Sequence, residues 1–206
     1  MYSKTSLGWR GDLKKTEIIV AGHGGQGVLD LANYLSFYEM LSGKHVAYTP
    51  SYGPESRGGK VKCYVVASDD EIACPIVEEP ECLIVMNLPS MDFVPLLKPG
   101  GFLLMNSSLI PETEIRDNIR VIKVPATEIA DHLEKPEGVL DSRIAANCVM
   151  LGAYFAAMGQ DLDRGFLDEV FQHFLTDRKK AYIELDLRAV EKGYDFVCTA
   201  SMLKAA

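Results

Sequence analysis

None of the five cysteines, Cys63, Cys74, Cys82, Cys148 and Cys198, stands in a Cys-x-x-Cys pair, and their number is odd. That excludes the spacing of a zinc or iron–sulfur cradle and offers no disulfide framework, so free thiols in a reducing compartment are expected. Basic residues are also scarce: 21 Lys plus Arg stand against 29 Asp plus Glu, a formal charge of −8. A surface of that sign is not built to hold polyanions, which argues against nucleic acid and anionic membrane as main partners. No stretch approaches the roughly 18 to 20 apolar residues that span a bilayer. The polar opening MYSKTSLGWRGDLKK has no apolar signal-peptide core. A cytoplasmic protein is expected.

What is present is 206 residues, 48% of them hydrophobic, enough for one full α/β core with a modest appendage. Residues 1–15 read as a flexible leader. Residues 16–197 read as a single domain, with an α/β sheet part at 16–134 and a helical part at 139–197, before a tail at 198–206. Glu17-Ile18-Ile19-Val20-Ala21 is a β-branched run that ends in glycines, which marks a buried first strand. Val28, Leu31, Ala32, Leu35 and Tyr38 then recur at helical spacing over residues 26–41, and Ser42-Gly43 stops the helix. Residues 45–49, 61–67, 82–86, 102–105 and 119–124 read as further strands, with Pro99-Gly100-Gly101 as a tight turn. Their alternation with helices or turns predicts a Rossmann-like three-layer α/β sandwich around a mostly parallel sheet. Three helices are expected beyond it, over 142–158, 162–175 and 179–197. Asp141-Ser142 serves as an N-cap pair and Met158-Gly159 as a stop. Lys135-Pro136-Glu137-Gly138 is the loop expected between the two parts.

Gly22-His23-Gly24-Gly25-Gln26-Gly27 satisfies G-x-G-x-x-G directly after a strand and directly before a helix. Glycines permit close backbone approach there, and the helix N-terminus offers N–H groups and partial positive charge to a phosphate or carboxylate. The competing reading is structural, with the glycines serving helix-on-strand packing and a turn against a partner chain. An ordinary NAD site also requires an acidic residue about 20 positions on, at the end of the second strand. That strand ends Ala47-Tyr48-Thr49-Pro50, without one.

The second candidate is the loop Thr49-Pro50-Ser51-Tyr52-Gly53-Pro54-Glu55-Ser56-Arg57-Gly58-Gly59, which gathers hydroxyls, a carboxylate and a guanidinium between two strands. A loop after a strand end lies where open α/β sheets bind ligands. Arg57 could grip phosphate or carboxylate bidentately, with Glu55 orienting it or accepting a proton; alternatively, the two form an ion pair that stiffens a turn. Asn106-Ser107-Ser108 follows a strand and could line the same edge. Catalytic residues are not assignable, because there is no Gly-x-Ser-x-Gly and the histidines His23, His45, His132 and His173 are scattered. Asp69-Asp70-Glu71 and Glu78-Glu79 read as solvated turns, so no metal site is expected.

Taken together, the Gly22-His23-Gly24-Gly25-Gln26-Gly27-Val28 turn, the loop from Ser51 to Gly59, and the Lys98-Pro99-Gly100-Gly101 turn leading to Asn106-Ser107-Ser108 carry a resemblance. They resemble the gamma subunit of 2-oxoacid:ferredoxin oxidoreductases. Ala67-Ser68-Asp69 with Ile72 and Pro75, and Asn147 with Leu151-Gly152, extend the likeness over residues 17–196. The resemblance implies CoA-dependent oxidative decarboxylation of a 2-oxoacid to acyl-CoA, CO2 and reduced ferredoxin, or the reverse. It leans toward 2-oxoglutarate or branched-chain substrates over pyruvate. It further implies alpha and beta partner chains holding thiamine diphosphate and Mg2+, and a ferredoxin-like delta chain carrying [4Fe-4S] clusters, with no cofactor assigned to this chain alone. Gly22, His23, Gly24, Gly25, Gln26, Gly27, Ser51, Tyr52, Gly53, Glu55, Arg57, Gly58, Gly59, Asn106 and Ser107 become its cofactor-binding or subunit-interface candidates. The alternatives are the beta subunit of an indolepyruvate enzyme, a stand-alone NAD(P)-binding oxidoreductase in which Arg57 faces a 2′-phosphate, or a non-catalytic scaffold.

Overall fold

Unbroken aliphatic runs become the central strands, because a strand covered on both faces has no solvent side toward which to alternate. The structure, a computed structural model, describes residues 14–52, 59–175 and 181–205. Two compact units cover Leu13–Pro125 and Ala126–Ala206.

In the first unit β1 (Lys15–His23), β2 (His45–Tyr52), β3 (Lys60–Ser68), β4 (Cys82–Val85), β5 (Phe102–Asn106) and β6 (Arg120–Val124) form one sheet, ordered β2-β3-β1-β4-β5-β6. β1, β4, β5 and β6 pair in parallel, with Ile18 opposite Cys82, Cys82 opposite Phe102 and Phe102 opposite Arg120. β3 runs antiparallel to both β1 and β2. All the other strands therefore share one direction, and the mostly parallel sheet read from the sequence is present. Chain length explains the reversal. Only residues 53–59 separate β2 from β3, whereas a parallel crossover needs about a dozen residues or more.

Helix α1 (Val28–Leu41) packs on β1, β2 and β3, burying Leu31, Ala32, Leu35 and Tyr38 at the expected spacing. It begins at Val28 rather than Gln26 because Gly27, in the left-handed region at φ 68°, closes the turn ahead of it. Ile19, Ala21, Leu83, Val85, Leu103 and Met105 form a core on one face of the sheet, and Met91, Phe93 and Val94 of a 3₁₀ helix (Leu88–Leu96) pack against it. Each fully buried side chain of that size contributes about 1.5–3 kcal/mol. The 3₁₀ helix carries Pro89 and Pro95 and no helical period, which is why the sequence pattern does not announce it.

The helical unit holds α2 (Ala126–Asp131), a 3₁₀ turn (Ser142–Ala145), α3 (Ala146–Met158), α4 (Arg164–Phe174) and α5 (Ala181–Ala205). The helix expected to start at Ser142 thus opens with a 3₁₀ turn. Its cap is Asp141, whose side chain accepts from the Arg143 N–H at 3.0 Å, while the Ser142 hydroxyl turns back toward the Asp131 carbonyl. Residues 146–157 are all buried, as befits a helix apolar on every side. α3 ends as expected at Gly159, where the N–H groups of Gly159 and Gln160 bond the carbonyls of Ala156 and Phe155. α4 starts two residues later than expected because Asp163 caps it, accepting from the Phe166 N–H at 3.1 Å. α5 runs past Val197, where the apolar spacing fades, on a stretch of Ala, Met, Leu and Lys that favours helix. α3 and α5 cross at Gly152 and Gly193. A Cβ on Gly152 would lie 1.8 Å from the Val190 carbonyl oxygen, and one on Gly193 would lie 1.9 Å from that of Val149.

Candidate functional site

Parallel pairing places the carboxyl ends of β1, β4 and β5 side by side, where ligands bind in open α/β sheets. The chain leaves β1 at His23 and turns through exposed Gly24 and Gly25 into α1. Gly22 permits the close packing beneath this turn. A Cβ there would stand 2.6 Å from Val28 Cγ2, 2.8 Å from Gln26 Oε1 and 3.0 Å from Met86 Cβ. Leu31 donates the first helical bond to the Gly27 carbonyl at 2.8 Å, so the positive end of the helix dipole meets the turn.

Polar side chains brace this turn from below. Gln26 Oε1 accepts from the His23 N–H at 3.0 Å and from Asn87 Nδ2 at 3.0 Å. Gln26 Nε2 donates to the Met86 carbonyl at 3.2 Å, and Asn106 Nδ2 reaches the same oxygen at 3.5 Å. Asn87 Oδ1 in turn accepts from the Ser90 N–H and hydroxyl at 3.1 and 2.7 Å, capping the 3₁₀ helix. Asn87, Ser90 and Asn106 are buried, and buried polar groups hold a geometry only when they are bonded in this way.

The two glycine-rich segments meet. The Gly24 N–H donates to the Gly59 carbonyl at 3.2 Å, directly beyond the His23–Lys60 pair that ends the β1–β3 ladder. Ser51 lies opposite Lys62 at the same end of the sheet. Gly53, Glu55, Arg57 and Gly58 lie outside the described residues, as does the side chain of Tyr52. Lys60 pairs with Asp92 of the 3₁₀ helix. The Lys62 ammonium sits 5.1 Å from the Tyr64 ring centroid and 5.0 Å from that of Phe93, within cation–π range. With the Lys60 charge met by Asp92, Lys62 and a helix N-terminus supply the positive potential at this end of the sheet.

The chemistry such an arrangement offers is anion binding. Cys63, the thiol on the neighbouring strand, is no poised nucleophile. Burial pushes its pKa up, against the opposing pull of the Tyr48 hydroxyl and the Ser51 backbone. Burial also pushes the Cys82 thiol up. Among the described residues, no three His, Cys, Asp or Glu side chains gather at metal-holding distance, and no helix is long and apolar enough to cross a membrane.

Gly59 and Asn106 thus border the glycine turn through the Gly24 N–H and the Met86 carbonyl, while Ser51 and Ser107 lie farther along the same end of the sheet. Asn87 and Ser90 are additions that sequence reasoning did not single out. Their signal is legible afterwards in Asn87-Leu88-Pro89-Ser90 following an apolar strand, an N-cap with proline in the first helical turn.

The pattern of the family described as pyruvate ferredoxin/flavodoxin oxidoreductase matches residues 17–196. Ketoisovalerate oxidoreductase subunit VorA of Methanothermobacter marburgensis is 34% identical, over 90% of this chain and 37% of its own length. The chain thus spans little more than a third of that relative. 2-Oxoglutarate synthase subunit KorC of the same organism is 38% identical, over 70% of this chain and 78% of its own. A keto/oxoacid ferredoxin oxidoreductase gamma subunit from Geobacter sulfurreducens superposes with a TM-score of 0.71 at 26% identity, covering 89% of this chain and 99% of that one. The mostly parallel sheet, the helical C-terminal part and a match along nearly the whole chain agree, and the chain belongs to the pyruvate ferredoxin/flavodoxin oxidoreductase family.

Proposed function

We propose that this chain is the gamma-type subunit of a multi-subunit 2-oxoacid:ferredoxin oxidoreductase, and that its glycine-rich sheet edge faces partner chains and the phosphates of an anionic cofactor. Coenzyme A and thiamine diphosphate are the candidate anions. The complex converts a 2-oxoacid and CoA to acyl-CoA and CO2, with two electrons passing to ferredoxin, or runs in reverse. Alpha and beta chains hold thiamine diphosphate with Mg2+, and a ferredoxin-like delta chain holds the [4Fe-4S] clusters. Thiamine diphosphate supplies the carbanion-stabilising chemistry, and this chain supplies placement. 2-Oxoglutarate or a branched-chain 2-oxoacid is the favoured substrate, given the names of the relatives.

The observation that carries this reading is the Gly24–Gly59 bond, which joins the turn to the end of the Arg57 loop. A stand-alone dinucleotide oxidoreductase fits less well. β3 stands between β1 and β2, so the end of β2 is not beside the glycine turn's strand, where a ribose-binding acid is needed. Anaerobic purification from the source, with identification of everything that accompanies the chain, tests the proposal. Co-purifying chains that bear thiamine diphosphate and iron–sulfur clusters, with 2-oxoacid-dependent ferredoxin reduction, are expected. A lone species that binds NAD or NADP would overturn it.

A further inference from the structure

The glycine turn is fastened on both flanks. On one side the Gly24 N–H holds the Gly59 carbonyl ahead of β3. On the other side a single side chain, Gln26, spans the exits of β1 and β4, with its oxygen on the His23 N–H and its nitrogen on the Met86 carbonyl. Glutamine is among the side chains that lose most freedom when immobilised, and Gln26 is only half-buried. Something must hold it. Asn87 does so from a buried position, donating from Nδ2 to Gln26 Oε1 at 3.0 Å, while its own Oδ1 is locked by two donors from Ser90. Ser90 is fully buried and Asn87 nearly so. Asn87 therefore has one rigid end and one working end, and the working end points at the residue that shapes the turn.

We propose that Asn87 is a positioning residue for the anion site: through Gln26 it pre-organises the Gly22–Gly27 turn, so that ligand affinity depends on a side chain that never touches the ligand. This rests on reading the turn as the place where coenzyme A phosphates bind. Pre-organisation raises affinity by removing an ordering cost from the binding step. It leaves turnover alone once the ligand is seated.

Asn87→Asp isolates the working end. A carboxylate still accepts both Ser90 bonds but presents oxygen, not N–H, to Gln26 Oε1. In the assembled complex, hydrogen exchange at the His23 amide is expected to rise about tenfold, the worth of one hydrogen bond, with Ser90 protection unchanged. The KM for coenzyme A is expected to rise about tenfold with kcat unchanged. Gln26→Met keeps the shape and removes all three bonds, and should raise His23 exchange at least as much. Unchanged His23 exchange in either variant overturns the proposal, as does a kcat loss with KM constant. Faster His23 exchange with an unchanged KM for coenzyme A upholds Asn87 as the brace of the turn and refutes the turn as the coenzyme A site.

Discussion

Gly152 of α3 and Gly193 of α5 meet where their helices cross, each facing the other helix's backbone at the point where a side chain would begin. The distances leave no room: a Cβ on either would fall within 2 Å of a carbonyl oxygen, Val190 for one and Val149 for the other. Backbone on both sides cannot step aside as a flexible side chain does. The crossing therefore depends on the absence of side chains at both positions.

Gly152→Ala should destabilise the protein by more than the ~1–3 kcal/mol typical of overpacking. Equilibrium urea unfolding measures it. A midpoint within error of the parent would contradict this backbone-to-backbone packing.

Gly22→Ala meets softer obstacles, since Val28 Cγ2 and Gln26 Oε1 belong to side chains. A cost of about 1–3 kcal/mol is expected, together with displacement of Gln26 from Asn87. Thermal melts give the first quantity. Amide exchange at His23 gives the second, and it should rise.

The Arg143 guanidinium and backbone N–H beside Asp141 hold its carboxyl down at about 2, from an ordinary value of 3.8. A depressed carboxylate stabilises the fold above its unfolded value, and that contribution is lost as pH falls from 3.8 toward 2. In an NMR pH titration Asp141 should have its midpoint near 2, and Arg143→Ala should return it toward 3.8. Because the pair is exposed, the effect on global stability should be small.

Burial pushes the Tyr194 phenol up to about 12 from 10.0, helped by nearby Cys198 and Asp161. The unfolded chain gives up this proton first, so stability should fall as pH rises from 10 to 12. Absorbance titration of tyrosinate reports the midpoint. Tyr194→Phe should remove part of the alkaline slope, and a slope identical to the parent would count against it.

Local features were legible in the sequence wherever a short window decided them. The strands at 82–85 and 102–106 follow from unbroken apolar runs, and the α1 face follows from its spacing. The glycine turn announces itself as strand, turn and helix. By contrast, α2 has six residues, too few to show a period. The start of α3 moved because a side-chain cap and a 3₁₀ turn look alike in one dimension.

Residue order thus settled which segments are strands, where α1 and α3 stop and which polar residues gather near glycines, because those depend on neighbours a few positions away. Tertiary packing decided the rest. It inserted β3 between β1 and β2, brought Asn87 to Gln26 across 61 positions, and pressed α3 onto α5 at two glycines. Each of these is a contact between distant parts of the chain, whose free energy comes from surfaces and hydrogen bonds that exist only once both partners have arrived.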